Sequence, residues 1–89
     1  MKIIIYRAFN ETDCYIGTSA QSIQKIIGLI KEFSRRDKTW AVAKYLRVHG
    51  INSLKFEVVC ESDRRNMDND LYETYQRFKP NLNINDRFT

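Results

Sequence analysis

The sequence predicts an α+β domain in which a small three-stranded antiparallel sheet is flanked by helices, in the order ββααβα. Short runs rich in β-branched and aromatic residues at 2–8, 14–17 and 54–61 indicate the strands. Between the second and third runs, isoleucines recur at the spacing of one helix face. The chain has 89 residues, 43% of them hydrophobic, with three glycines and one proline. That size and composition predict a single domain spanning residues 1–89.

The first two strands are expected to pair as an antiparallel hairpin. The connecting residues 9–13, Phe-Asn-Glu-Thr-Asp, include the Asn and Asp residues that favour tight turns. Residues 18–22 then offer N-cap candidates for the first helix. Gly28 interrupts this helix, and we expect it to allow close packing of a neighbouring element. The apolar stripe of the helix has the spacing i, i+3, i+4, i+7 and i+10 and comprises Ile23, Ile26, Ile27, Ile30 and Phe33.

Two further helices are expected on either side of the third strand. The second helix runs from about Thr39 to Val48, and Gly50 follows it at the place of a C-cap. Its mixed inner face is formed by Trp40, Val42, Ala43, Leu46 and Arg47. The last helix begins within the polar stretch 62–69 and stops at Pro80. Its apolar positions are Leu71, Tyr72, Tyr75 and Phe78.

The sequence also argues against several classes of protein. No apolar run approaches the ~20 residues of a membrane span, so no membrane association is predicted. The N-terminal segment is too short and too soon charged for a signal peptide. Cys14 and Cys60 have no second Cys or His at metal-ligand spacing, so we expect two reduced thiols and no metal site. An intracellular location follows.

Positive charge is concentrated in the first part of the chain. Residues 1–52 hold nine Lys/Arg and four Asp/Glu (9 − 4 = +5), and residues 53–89 hold six and seven (6 − 7 = −1). Such a cluster can contact nucleic-acid phosphates, although two ordinary solvated helix faces would give the same pattern. The candidate nucleic-acid contacts are Lys31, Arg35, Arg36, Lys38, Lys44 and Arg47.

The order of elements and several short motifs together resemble the GIY-YIG nuclease superfamily. A tyrosine lies on each strand of the predicted hairpin, Tyr6 and Tyr15, and the second begins a Tyr-Ile-Gly triplet that ends at Gly17. The segments 45–56 and 78–83 match later parts of the family pattern, so that the resemblance covers nearly the whole chain. The hairpin region looks most like the versions found in large DNA viruses.

The resemblance implies a catalytic apparatus that can be compared with this chain residue by residue. In the family, one divalent cation and a few side chains hydrolyse a phosphodiester bond. The tyrosine of the first strand orients or deprotonates a water, and that of the second strand supports it. An arginine on the first helix stabilises phosphate charge, and a glutamate on the last helix binds the metal. Tyr6 and Tyr15 match the two tyrosine positions.

The two remaining family positions carry apolar residues here. The arginine position falls on Ile26, or on Lys25 if the gap is placed one residue differently, and the basic or histidine position one turn later falls on Ile30. The glutamate position, nine residues before Pro80, falls on Leu71. Lys25 lacks the planar fork with which arginine grips phosphate. The resemblance therefore implies that the phosphate clamp and the metal ligand are lost.

These losses predict a nuclease-fold protein without nuclease activity or cofactor. Its expected function is to bind DNA or RNA through the basic helices, or a protein partner or a second copy of itself through the former cleft. That cleft is either covered by the helices as part of the core or left as an exposed apolar patch.

Two other functions remain open at this point. The first is a divergent but active endonuclease that uses Mg²⁺, with Lys25 in place of the arginine and Asp70 or Glu73 as the metal ligand. These two acids lie at about 100° and 200° of helical rotation from Leu71. The second is a purely structural or assembly protein, such as a virion component, without affinity for nucleic acid.

Overall fold

The computed structural model describes residues 2–36 and 41–82 and contains a three-stranded antiparallel sheet and three helices. The predicted α+β class and the predicted order ββααβα are confirmed. Each strand extends one or two residues further at its C-terminal end than the sequence pattern indicated. The elements are β1 (Lys2–Phe9), β2 (Cys14–Ser19), α1 (Ile23–Arg36), α2 (Ala41–His49), β3 (Lys55–Asp63) and α3 (Met67–Phe78).

The sheet has the order β2-β1-β3, so the first strand lies in the centre. The β1–β2 hairpin is antiparallel, as predicted, with Tyr6 opposite Gly17. β3 also pairs antiparallel with β1, and its register shifts between Ile5, which faces Cys60, and Tyr6, which faces Val58. This shift places one extra residue on β3, the geometry of a β-bulge, which bends the strand and increases its twist.

The two faces of the sheet are covered by different helices. Tyr6, Ala8 and Tyr15 point to one face and form the main core with apolar residues of α1 and α2. Ile5 and Ile16 point to the opposite face, since side chains alternate along a strand, and they too are buried. On this second face the α3 residue Phe78 lies under the guanidinium of Arg7, at 4.5 Å from the ring centroid. The sheet therefore separates α1 and α2 from α3.

α1 begins and packs as its sequence predicts. The backbone N–H of Lys25 donates to the Ser22 hydroxyl at 3.3 Å, so Ser22 caps the first turn. Ile26 and Ile30 are buried against the core. The expectation for Gly28 is wrong: a Cβ built there would meet no atom within 4 Å. The glycine faces open space, so close packing does not explain it.

α2 buries Val42, Ala43 and Leu46, three of the five residues assigned to its inner face. Arg47 is exposed, which contradicts its assignment to that face. Trp40, like the predicted start of the helix at Thr39, lies outside the described residues. Gly50 ends the helix as predicted: it has a φ of 113°, and its N–H donates to the Leu46 carbonyl at 2.8 Å.

α3 begins after a turn in which the Asp63 carboxylate accepts from the backbone N–H of Asn66 at 2.8 Å. The helix ends at Lys79, which has a left-handed conformation (φ 48°, ψ 62°) just before Pro80. Tyr72, predicted as one of its apolar packing positions, is 63% exposed.

Two remaining findings concern membranes and cysteines. In the described ranges, no helix is both long enough and apolar enough to cross a bilayer. Cys14 and Cys60 are half-buried free cysteines, as predicted. Burial raises the pKa of both thiols above its ordinary value.

Candidate nucleic-acid interface and the tyrosine pair

The two tyrosines of the family-like motif lie in the protein interior. Tyr6 is 1% exposed and Tyr15 7% exposed, and their ring centroids are 6.4 Å apart with planes tilted by 48°. The Tyr6 ring extends over Gly17: a Cβ built on Gly17 would lie 2.4 Å from both Cζ and the hydroxyl oxygen of Tyr6. The absence of a side chain at position 17 is thus what makes room for the tyrosine ring.

Ile26 and Ile30 pack in the same core as the tyrosines. They are 7% and 0% exposed, so α1 covers the tyrosine pair. The helices thus cover these four residues as part of the core, and the four residues form no exposed apolar patch. Leu71 is not part of this arrangement, because it belongs to α3 on the other face of the sheet, where it borders a depression that it shares with Thr18 and Tyr72.

The acids of the active-nuclease alternative are also on the α3 side. Asp70 and Glu73 line a depression of about 330 Å³ together with Cys60 and Arg77. The Ser62 hydroxyl donates to the Asp70 carboxylate at 2.5 Å. The structure brings neither acid to the tyrosine pair, because the sheet lies between them. Within residues 2–36 and 41–82, no three His, Cys, Asp or Glu side chains are grouped so that they could hold a metal ion.

The predicted basic residues of α1 lie on its outer surface. Lys31 is half-buried, and Arg35 and Arg36 are exposed. With Gly28 and Glu32 they line an open depression of about 370 Å³. Glu32 and Arg36 form an ion pair at 2.7 Å, so the carboxylate among these described lining residues is already paired. Lys25 is exposed on the same helix, although the sequence analysis assigned it to the remnant catalytic site.

α2 adds Lys44 and Arg47 to this side of the molecule, both exposed. α1 and α2 pack against each other and against the same core. Five of the six predicted nucleic-acid contacts therefore belong to one layer of the molecule, which we call the basic face: the outer surfaces of α1 and α2 with Lys25, Lys31, Arg35, Arg36, Lys44 and Arg47. The sixth, Lys38, lies outside the described residues.

The two layers differ in net charge. α1 and α2 together carry six Lys/Arg and one Asp/Glu, so their net charge is 6 − 1 = +5. The segment from β3 through the end of α3, residues 55–79, carries five Lys/Arg and six Asp/Glu, so its net charge is 5 − 6 = −1. The imbalance that the sequence shows along the chain thus becomes a separation between two sides of the folded molecule. A polyanion would therefore be attracted to the α1–α2 side.

A polar network that the sequence analysis missed joins the hairpin turn to two distant segments. The Tyr45 hydroxyl of α2 donates to Asp13 Oδ2 at 2.7 Å, and Asn81 Nδ2 donates to Asp13 Oδ1 at 2.7 Å. Asn10 Nδ2 donates to the Tyr45 hydroxyl at 2.9 Å. Asn81 Oδ1 also accepts from the Cys14 backbone N–H at 2.8 Å. The turn residues Asn10 and Asp13 therefore anchor both α2 and the segment after α3.

This network shifts two pKa values. The hydrogen bond from Tyr45, followed by that from Asn81, lowers the pKa of Asp13 below its ordinary value of 3.8. The same Tyr45–Asp13 bond raises the pKa of Tyr45 above its ordinary value of 10.0. Both shifts favour an ionised Asp13 that accepts from a neutral Tyr45.

Comparison of the chain with family models, with curated proteins and with solved structures finds no match. The relationship to GIY-YIG nucleases therefore stays a prediction that rests on the motifs of the chain.

Proposed function

We propose that this chain is a non-catalytic nucleic-acid-binding module, a degenerate relative of the GIY-YIG nucleases, which contacts DNA or RNA phosphates through its basic face. The observation that carries the proposal is the concentration of positive charge in the α1–α2 layer, whose two helices carry +5, whereas residues 55–79 of the other layer carry −1. An origin in a large DNA virus and an intracellular location belong to the same proposal and rest on the sequence alone.

The basic side chains are available for phosphate contacts. Within the described ranges, Lys25, Lys31, Arg35 and Lys44 have no carboxylate within 4.0 Å. A phosphate that binds them would therefore displace no ion pair within the described ranges, and it would release condensed counterions from the nucleic acid. Solvated helices are stabilised by oppositely charged side chains at positions i and i+4. These two helices together contain a single carboxylate, Glu32, so most of their basic residues lack such a partner on the same helix.

Two features favour binding without cleavage. The positions that would hold the arginine and the metal-binding glutamate carry Ile26 and Leu71. Ile26 is buried in the core, and Leu71 is on the opposite side of the sheet from the tyrosines. Removal of a single donor that stabilises negative charge in the transition state costs roughly 3–4 kcal/mol. The former cleft is closed, so the proposal assigns no protein partner to it.

Fluorescence anisotropy with a short labelled DNA duplex, and with an RNA of the same sequence, tests binding. We expect Lys31→Ala combined with Arg35→Ala to weaken binding roughly tenfold, because two phosphate contacts are lost. The matched control is Lys2→Ala with Lys55→Ala, which removes the same charge from exposed strand residues. Equal weakening by both pairs, or no binding at low salt, would contradict the proposal; the second result would favour a structural role.

A cleavage assay separates the proposal from the active alternative. We expect the wild-type protein to leave DNA intact with Mg²⁺ or Mn²⁺ present, and Tyr6→Phe to give the same result. Cation-dependent nicking that stops with chelator, and that is lost in Tyr6→Phe and in Asp70→Asn or Glu73→Gln, would instead establish a divergent GIY-YIG endonuclease.

A further inference from the structure

Gly28 lies on the exposed side of α1, inside the helix, where a glycine lowers helix stability. A Cβ built on it would meet no atom within 4 Å, so no packing contact with the described residues requires a glycine at this position. Glycine is also the residue that allows a ligand to approach the backbone closely. The side chains around Gly28 indicate which kind of ligand this would be.

The exposed positions next to Gly28 on the helix surface carry long polar side chains. Gln24 lies one turn before it and Arg35 two turns after it, and both are exposed. Lys25 and Lys31 lie three residues before and after it, at about 60° of helical rotation on either side. Gly28 also lines the open depression of about 370 Å³ described above. We call this gap between the longer side chains the Gly28 notch.

The Gly28 notch lets a ligand lie nearer to the helix axis than its neighbours would allow. Helix Cα atoms lie about 2.3 Å from the axis, whereas side chains extend the helix to a radius of about 5–6 Å. A group at the notch can therefore approach the axis about 3 Å more closely than a group that rests on side chains. Lys25 and Lys31 are about 9 Å apart along the axis, so their side chains are long enough to reach such a group from both sides.

The charge around the notch favours an anion. Residues 20–40, which include the whole of α1 and the segments on both sides of it, hold five Lys/Arg and two Asp/Glu (5 − 2 = +3). Within the described ranges, Lys25, Lys31 and Arg35 have no carboxylate within 4.0 Å. Three cations spaced along one helix match a chain of phosphates better than a single small anion.

We propose that the sugar–phosphate backbone of the bound nucleic acid crosses α1 at the Gly28 notch, where one phosphate lies against the helix backbone between Lys25 and Lys31. This inference rests on the proposed function and assigns its closest contact to a position without a side chain. A contact with the phosphate backbone carries no sequence information directly, so it would form with any base sequence. A side chain at position 28 would hold the phosphate away from both lysines.

Fluorescence anisotropy with two short labelled DNA duplexes of unrelated sequence tests the inference. Gly28→Gln fills the notch with an uncharged side chain like that of the neighbouring Gln24. We expect it to weaken binding of both duplexes roughly tenfold, because phosphate contacts are lost, and Gly28→Ala to weaken binding less. The urea midpoint of both variants should rise, because glutamine and alanine have higher helix propensities than glycine. Damage to the fold cannot explain a variant that is more stable and yet binds more weakly.

Asn69→Ala is the matched control. Asn69 is an exposed residue of α3, outside the basic face, and alanine there also raises helix propensity. This variant should bind as the wild type does. Unchanged affinity or a lower urea midpoint in Gly28→Gln, a loss confined to one duplex, or equal weakening in Asn69→Ala would overturn the inference and leave the proposed function in place. A wild type that binds neither duplex at low salt would contradict the proposed function and this inference with it.

Discussion

The ring of Tyr6 occupies the space that a side chain at position 17 would need. A Cβ on Gly17 would lie 2.4 Å from both Cζ and the hydroxyl oxygen of Tyr6, directly opposite in the hairpin register. Because Tyr6 is 1% exposed and its ring is rigid, it has no open space to move into. The tyrosine and glycine of the family-like motif thus act here as a packing unit of the core.

This contact predicts the cost of adding one methyl group. We expect Gly17→Ala to lower the free energy of unfolding by about 1–3 kcal/mol, the range typical of overpacking in a well-packed core. Urea denaturation measures the change. In a Tyr6→Leu background the clash is relieved, so the cost of Gly17→Ala should fall, which a double-mutant cycle detects. If Gly17→Ala lowers the free energy of unfolding equally in both backgrounds, contact with the Tyr6 ring is not the cause of the destabilisation.

Gly28 provides the opposite case on an exposed helix surface. A Cβ there meets no atom within 4 Å, and the residue lies inside α1. We therefore expect Gly28→Ala to raise the free energy of unfolding by up to about 1 kcal/mol, because alanine has the higher helix propensity. The same urea titration measures it, and a loss of stability would contradict the open environment described for this glycine.

The Asp13–Tyr45 hydrogen bond predicts a specific pH dependence. The pKa of Asp13 is lowered in the folded state, so its contribution to stability is fully present above the ordinary value of 3.8 and is lost as the pH falls through the lowered pKa. The pKa of Tyr45 is raised, so its contribution is present below 10.0 and is lost as the pH rises through the raised pKa. Neutral solutions lie between these limits, where the network is intact.

We therefore expect Asp13→Asn to be less stable than the wild type near neutral pH, and the difference to shrink as the pH falls below about 3.8. Urea denaturation at a series of pH values measures this difference. The control is Glu11→Gln, which removes an exposed carboxylate of the same turn outside the network. If both variants lower the free energy of unfolding by the same amount and with the same pH dependence, the Asp13–Tyr45 network does not stabilise the turn.

The sequence predicted the fold well because local signals suffice for it. Runs of β-branched residues marked the three strands, and the isoleucine stripe marked α1. Gly50 was correctly placed as the end of α2, since its φ of 113° is a conformation that other residues rarely adopt. The bulge on β3 was not predicted, because a register shift depends on how two distant strands align and leaves no local pattern.

The parts of the site that were missed depend on contacts between distant segments. Asp13 and Tyr45 are 32 residues apart, and Asn81 is 68 residues from Asp13. The turn formers predicted a turn but could not show which helix it would bind. The resemblance grouped Leu71 with Ile26 by counting back from Pro80. Periodicity could not show which side of the sheet α3 would cover, and the sheet separates the two residues.

The central claim, that the basic face binds nucleic-acid phosphates, is tested most directly by the salt dependence of DNA affinity. Binding of the wild type should weaken steeply between about 50 mM and 200 mM salt. In a plot of log affinity against log salt, Lys31→Ala with Arg35→Ala should reduce the slope by about 0.9 for each lost contact. Lys2→Ala with Lys55→Ala should leave the slope unchanged. A slope that is the same in the wild type and in the Lys31/Arg35 variant would contradict the claim.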